Sequence, residues 1–217
     1  MLTFLPDLPV ILAFTLAAWL LAATPGPDMT LFLARTLSSG RAAGLMSLAG
    51  ASTGTMVHTA LAVLGVSAII AASATAFTVL KLAGAAYLLW LAVEALWKGS
   101  SFTPPDQAKK GRRVVSLKRA FMAGIGINLL NPKIVLFFMT FLPQFVSVDD
   151  PQAAQKMAFL GLYFVVVCAP PLVVLIFAAE KFSAALSRNP RIGRIIDYLF
   201  ASVFAVFAVR ILFEEGR

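Results

Sequence analysis

Residues 22–33 read Ala22-Ala23-Thr24-Pro25-Gly26-Pro27-Asp28-Met29-Thr30-Leu31-Phe32-Leu33, and residues 128–139 read Asn128-Leu129-Leu130-Asn131-Pro132-Lys133-Ile134-Val135-Leu136-Phe137-Phe138-Met139. Each stretch puts prolines and polar residues inside an apolar run long enough to cross a membrane. Proline removes a backbone donor and clashes with the preceding turn, and the carbonyls it frees find no partner in lipid. Such breaks survive only where protein or a cavity satisfies them. A pair of breaks at matching places in two halves of a chain points to a transport site near the bilayer midplane.

Composition sets the class. Of the 217 residues, 60% are hydrophobic and 13% charged, with a mean hydropathy of +0.89, well above the apolar share of roughly 45–50% in a soluble domain. At roughly 20 residues per span the length holds six membrane helices and no separate soluble domain. The expectation is one integral membrane domain over 1–217: a first half at about 1–97, a basic loop at about 98–118 and a second half at about 119–217.

The first span runs from about Leu8 through the Pro-Gly-Pro break to Ala34, and its apolar run ends in that break rather than at a cleavage site, so it reads as permanent. The uncharged stretch from Ala42 to Leu80 is too long for one span and divides near Ala71-Ala72-Ser73-Ala74 into spans two and three, the latter ending near Trp97. Span four covers about Ala120 to Val146 and is broken at Asn131-Pro132. Span five covers Met157 to Ala179 with Pro170-Pro171 inside it, and span six Ile195 to Phe213. Trp97 and Tyr198 read as interface anchors. With three spans per half, the halves face opposite ways, so the fold class is an all-α membrane protein of six transmembrane helices, an inverted repeat of two three-helix halves with helices 1 and 4 broken.

The net charge of +8 and pI near 10.1 follow from topology rather than from nucleic-acid binding. Arg35, Arg41, the Lys and Arg residues of 98–119, Lys181, Arg188, Arg191 and Arg194 fall on one side of the spans. Lys81, Lys156, Arg210 and Arg217 fall on the other. Positive-inside bias puts the first group in the cytoplasm and both termini outside. The single cysteine, Cys168, excludes an intrachain disulfide and a Cys-based metal cluster, and reads as packing.

Enzyme classes fare poorly. There is no Gly-x-x-x-x-Gly-Lys-Ser/Thr run for ATP, and one His, one Cys and no His-x-x-x-His or Glu-x-x-His spacing leave no metal or nucleophile constellation. No cofactor is implied. The alternatives to solute export are a passive channel or a non-transporting membrane partner, neither of which needs paired polar breaks.

Several further patterns resemble one family. Pro25-Gly26-Pro27 in the first span, Gly40-Arg41-Ala42-Ala43-Gly44, Gly84-Ala85-Ala86-Tyr87-Leu88, and Asn128-Leu129-Leu130-Asn131-Pro132-Lys133 followed by Phe141-Leu142-Pro143-Gln144-Phe145 occur in the order and spacing of the lysine exporter/homoserine-threonine resistance (LysE/RhtB) family of amino-acid exporters. The resemblance covers essentially the whole chain. It implies a proton-driven antiporter exporting an amino acid or close derivative from the bacterial cytoplasmic (inner) membrane, acting as a homodimer. Export of another small polar metabolite or a cation fits the same polar residues. Gln144 as a vestibule residue rests on this resemblance alone.

A broken helix offers carbonyls to cations at the end of one half and N–H groups to anions at the start of the next. The candidate substrate-binding residues are Pro25, Gly26, Pro27, Asp28, Asn128, Asn131, Pro132, Lys133 and Gln144. Carbonyls around Ala22 and Ala23, with Asp28, suit an α-ammonium, and the helix start after Pro132, with Lys133, suits a carboxylate. Asp28 also reads as a helix-start acid, and Lys133 as a lysine satisfying carbonyls freed in its own span. His58 lies four residues after Gly54 and eight after Gly50, on a stripe of small residues that lets helices approach. Gly50 and Gly54 are assigned to helix packing. His58 and Asp28 are the proton-coupling candidates, with a neutral interhelical imidazole as the plainer role for His58. Glu94 reads as a partner for the basic loop.

Overall fold

The computed structural model describes residues 5–98, 115–147, 150–189, 191, 194–195, 198–199, 201–203, 205–206 and 208–209. Most of the central loop and the end of the sixth expected span lie outside the described residues, as do the side chains of Glu94 and Tyr87. Helix α1 spans Leu8–Ala23 and α2 Pro27–Ser39; α3 spans Arg41–Ala72 and α4 Ala74–Lys98. Helix α5 spans Leu117–Leu129, α6 Pro132–Leu136, α7 Ala153–Phe177 and α8 Ala179–Arg188. The described residues between 191 and 209 are helical, and there is no strand among the described residues.

Proline sets the breaks. Pro27 and Pro132 each open the helix after a break, where the missing N–H costs nothing because the first turn has no partner for it. The two bent pairs, α1 with α2 and α5 with residues 132–145, each turn by 54° and each qualify as a single membrane span. Residues 41–65 of α3 and the whole of α7 are each long and apolar enough to cross a membrane, which gives two straight candidate spans among the described residues, and four where each bent pair counts as one span. The expected division near Ser73 is present: α3 ends there, and the Ser73 hydroxyl accepts from the Ala76 N–H at 3.2 Å to start α4.

Span four departs from a plain helix in its second half. After α6 the chain widens into a π turn, Phe137–Phe141, with the Leu142 N–H donating to the Phe137 carbonyl, and then tightens into a 3-10 turn, Leu142–Phe145. Pro143 lacks the N–H that an α-helix would use there, and π segments often mark functional places. The result is a dense aromatic wall. Phe14, Phe137, Phe138, Phe141 and Phe164 are all buried, with ring centroids of neighbours 4.8–6.4 Å apart.

The most intimate packing joins α3 to α5. A Cβ added at Gly50 would collide with the Phe121 carbonyl, and one at Gly124 with the Ser47 carbonyl, so each glycine admits the other helix's backbone. Ser47 adds a hydroxyl bond to the Ala120 carbonyl at 3.2 Å. Gly40 separates α2 from α3 at φ +90°, a backbone conformation that favours glycine. Helix α1 is fastened to α7 by Trp19 Nε1 on the Val167 carbonyl at 3.0 Å and by Thr15 with Tyr163 at 2.9 Å. Helix α8 is an addition to the sequence reading, which left that basic stretch as loop; its packing against α2 supplies the missing stabilisation.

Candidate functional site

The two breaks meet and exchange polar groups. Asn128 Nδ2 and Asn131 Nδ2, on either side of the second break, donate to Asp28 Oδ2 at 3.1 and 3.0 Å. In return, Lys133 Nζ donates to the carbonyls of Leu21 and Thr24 at 2.8 and 2.9 Å. The acceptors freed at the end of α1 are thus taken by a cation from the other half of the chain. We call this reciprocal arrangement the clasp.

Local chemistry explains why each group points as it does. Asn131 caps α6, its Oδ1 accepting from the Lys133 N–H at 3.1 Å, which turns its amide nitrogen toward Asp28. The Ile134 and Val135 N–H groups both reach the Asn131 carbonyl at 3.0 Å. With Lys133 N–H capped and Pro132 lacking one, the start of α6 is satisfied internally. Asp28 sits in the first turn of α2, where a negative charge suits the helix dipole. Its second oxygen, Oδ1, is buried and has no hydrogen-bond partner among the described residues.

That oxygen belongs to a residue lining a small cavity of about 60 Å³. Gly26, Asp28, Asn128, Asn131 and Lys133 line it with Thr24, Ser52 and Thr55, while Met29, Phe32, Phe164 and Leu172 give it an apolar side. The volume is that of a few water molecules. Pro25, Pro27 and Pro132 shape the breaks without lining the cavity, and Gln144, whose Nε2 donates to the Thr140 carbonyl at 2.9 Å, is not among the lining residues either.

Asn128 is a junction. The Thr55 hydroxyl donates to its Oδ1 at 3.4 Å, and His58 Nε2 lies 3.3 Å from its carbonyl, so the ring nitrogen facing that acceptor carries the proton. His58 is buried against Phe138, with ring centroids 6.2 Å apart. A Cβ at Gly54 would lie 2.7 Å from Asn128 Oδ1, so the small residue makes room for the amide that reaches Asp28.

Sequence reasoning located the breaks and their polar residues but not the clasp. Lys133 satisfies the first span's carbonyls rather than those of its own. Ser52 and Thr55 were passed over, although their three-residue spacing beside Gly54 puts hydroxyls near the same helix stripe. Cys168, read as packing, also forms part of the cavity wall, with its thiol 3.6 Å from the Ala18 carbonyl. No cluster of metal-ligating side chains occurs among the described residues.

The chain is similar to known membrane proteins along most of its length. The family model described as LysE type translocator matches residues 19–215. The homoserine/homoserine lactone efflux protein of Salmonella typhimurium is 29% identical over 192 residues, covering 88% of this chain and 90% of that protein. The leucine efflux protein of an Enterobacter species is 28% identical over 202 residues, covering 91% and 92%. An uncharacterized membrane protein of Vibrio cholerae is 31% identical over 201 residues, covering 91% and 94%. No solved structure matches.

Proposed function

The chain belongs to the LysE type translocators, a family of membrane transporters rather than enzymes, and from that premise we propose that it exports an amino acid or close derivative in exchange for protons. The observation that carries the reading is Asp28 Oδ1, a buried carboxylate oxygen with no hydrogen-bond partner among the described residues, in a cavity between two broken helices. A buried acceptor of this kind costs free energy until something fills it. An α-ammonium and a proton both do so, and they compete for one atom. That competition is the core of an antiporter.

The carboxylate end acts on the clasp. Lys133 is already committed to the Leu21 and Thr24 carbonyls, so a solute carboxylate that draws Lys133 toward itself loosens α1 from the second half. Binding then favours the change between inward-open and outward-open states, because the solute interacts differently with the two. His58 stands behind Asn128, at 3.3 Å from its carbonyl, and is the second proton-coupling candidate.

The equal 54° bends, each followed by a helix opening on proline, support six spans arranged as an inverted repeat, with 195–213 as the sixth. The basic residues at the α2–α3 junction and on α8 support a cytoplasmic location for that end, with both termini outside and the protein in the bacterial inner membrane. A homodimer is the oligomeric state that the family resemblance implies.

The test is efflux from proteoliposomes loaded with a panel of amino acids, with and without an imposed proton gradient. We expect acceleration by an inward proton gradient for a subset of amino acids, and its loss in Asp28→Asn. Flux that runs only downhill and ignores the gradient identifies a passive channel, and equal rates in the Asn variant remove Asp28 from the mechanism.

A further inference from the structure

A second cavity lies next to the first. It is a recess of about 670 Å³ where α2 meets α3 and α7 meets α8, lined by Thr36, Gly40, Arg41, Val173, Ile176, Glu180 and Lys181 among others. Arg41 lies over the Phe177 ring at 5.0 Å, while Glu180 and Lys181 are exposed in the first turn of α8. Both signs of charge therefore line an open recess at the ends of four helices. In the orientation proposed above, this end is the cytoplasmic one.

The two cavities are in register. Phe32 and Leu172 line the inner cavity, and Thr36 and Ile176, four residues further along the same helices, line the recess. Between them sits a small apolar cluster whose buried members are Phe32, Leu48, Ala51 and Ile176, with Leu172 and Val173 packed against it. Phe32, Leu48, Ala51 and Leu172 face the inner cavity, while Val173 and Ile176 face the recess. The barrier is about one residue layer thick. Phe164, also in the cavity lining, belongs to the far larger aromatic cluster with Phe14, Phe137, Phe138 and Phe141.

We infer that the recess is an entry site for a zwitterionic solute, with Arg41 and Glu180 receiving its two charges, and that the Phe32–Leu48–Ile176 layer is the cytoplasmic gate to the cavity at Asp28. The inference rests on the transport reading for its purpose, but its geometry is tested without any flux. A chain that exports nothing can still have this gate, and an exporter can lack it.

Cys168 lines the inner cavity and is a native reporter. Its modification by 2-aminoethyl methanethiosulfonate is compared, in inside-out and right-side-out vesicles, with that of Val173→Cys placed in a Cys168→Ser background. The recess position is expected to react from the cytoplasmic face at least about tenfold faster than Cys168, and Phe32→Ala or Leu48→Ala to raise the Cys168 rate from that face alone. At Val173→Cys, Arg41→Gln is expected to slow only an anionic reagent, 2-sulfonatoethyl methanethiosulfonate, and Glu180→Gln only the cationic one. Equal reactivity of the two native-like positions overturns the gate even if the alanine variants fail to fold, and so does faster access to Cys168 from the opposite face. Insensitivity to reagent sign overturns the entry site.

Discussion

Replacing Lys133 with methionine keeps an unbranched apolar stem of similar reach and removes the ammonium, so it isolates the clasp. Two hydrogen bonds disappear, to the Leu21 and Thr24 carbonyls at 2.8 and 2.9 Å. A hydrogen bond to a charged group contributes about 1.5–3 kcal/mol, and two give roughly 3–6. Lys133 is only partly buried and lines a cavity, so solvent compensates for about half of that. The remaining ~1.5–3 kcal/mol corresponds to roughly a 10- to 150-fold rise in the population with the halves unfastened. Hydrogen exchange read by mass spectrometry on residues 20–30 and 129–136 measures it directly, since both segments lose protection together when the clasp opens. Lys133→Arg, which keeps a cationic donor, is expected to fall between the two. Unchanged exchange in both segments for the methionine variant, or loosening confined to residues 129–136, refutes the cross-half role and returns Lys133 to its own span.

Other predictions follow the same geometry. Asn131→Ala removes the cap on α6 and one donor to Asp28; it should cost about 0.5–2 kcal/mol from the cap alone, seen as a lower melting temperature in detergent. Gly50→Ala sets a methyl group against the Phe121 carbonyl, and overpacking of this kind typically costs about 1–3 kcal/mol, so the folded yield should fall while Gly126→Ala, where a Cβ meets nothing nearby, leaves it unchanged. His58→Gln retains an amide donor for the Asn128 carbonyl, and the pH profile of efflux should shift with the maximal rate retained; an unaltered profile leaves His58 with packing alone. Lys156 beside Asp150, at 2.5 Å, and the Gln152 N–H hold that carboxyl below the usual aspartate range. Its contribution to anchoring the start of α7 is present above pH about 4 and lost as pH falls through the lowered value, so the protection of amides near 153–156, corrected for the intrinsic pH dependence of exchange, should be weaker at pH 3 than at pH 5 in wild type and equal at the two in Asp150→Asn.

The breaks were legible because proline acts locally: Pro25-Gly26-Pro27 and Asn131-Pro132 interrupt a helix whatever surrounds them. Ser73 as the divide between α3 and α4 followed from length alone. What depends on partners was not legible. Lys133 beside its own break looks like a local cap, and only the fold brings it to Leu21 and Thr24, more than a hundred positions away. The same holds for Asn128 and Asn131, whose amides reach Asp28 only because the fold brings the two breaks together. Gln144 came from the family pattern, and its position outside the cavity lining reflects the π and 3-10 turns that Pro143 imposes on the end of span four. Helix α8 escaped notice because its charges, read as topology, hid an amphipathic stretch that α2 stabilises.

The proposed transport cycle turns on what occupies Asp28 Oδ1. An electron cryo-microscopy map of the protein with a transported amino acid bound is its most direct test. The predicted result is density in the cavity between the two breaks, with the solute's ammonium about 3 Å from Asp28 Oδ1 and Lys133 drawn off the Leu21 and Thr24 carbonyls. Solute bound elsewhere while Asp28 Oδ1 keeps no partner and the clasp stays shut contradicts it.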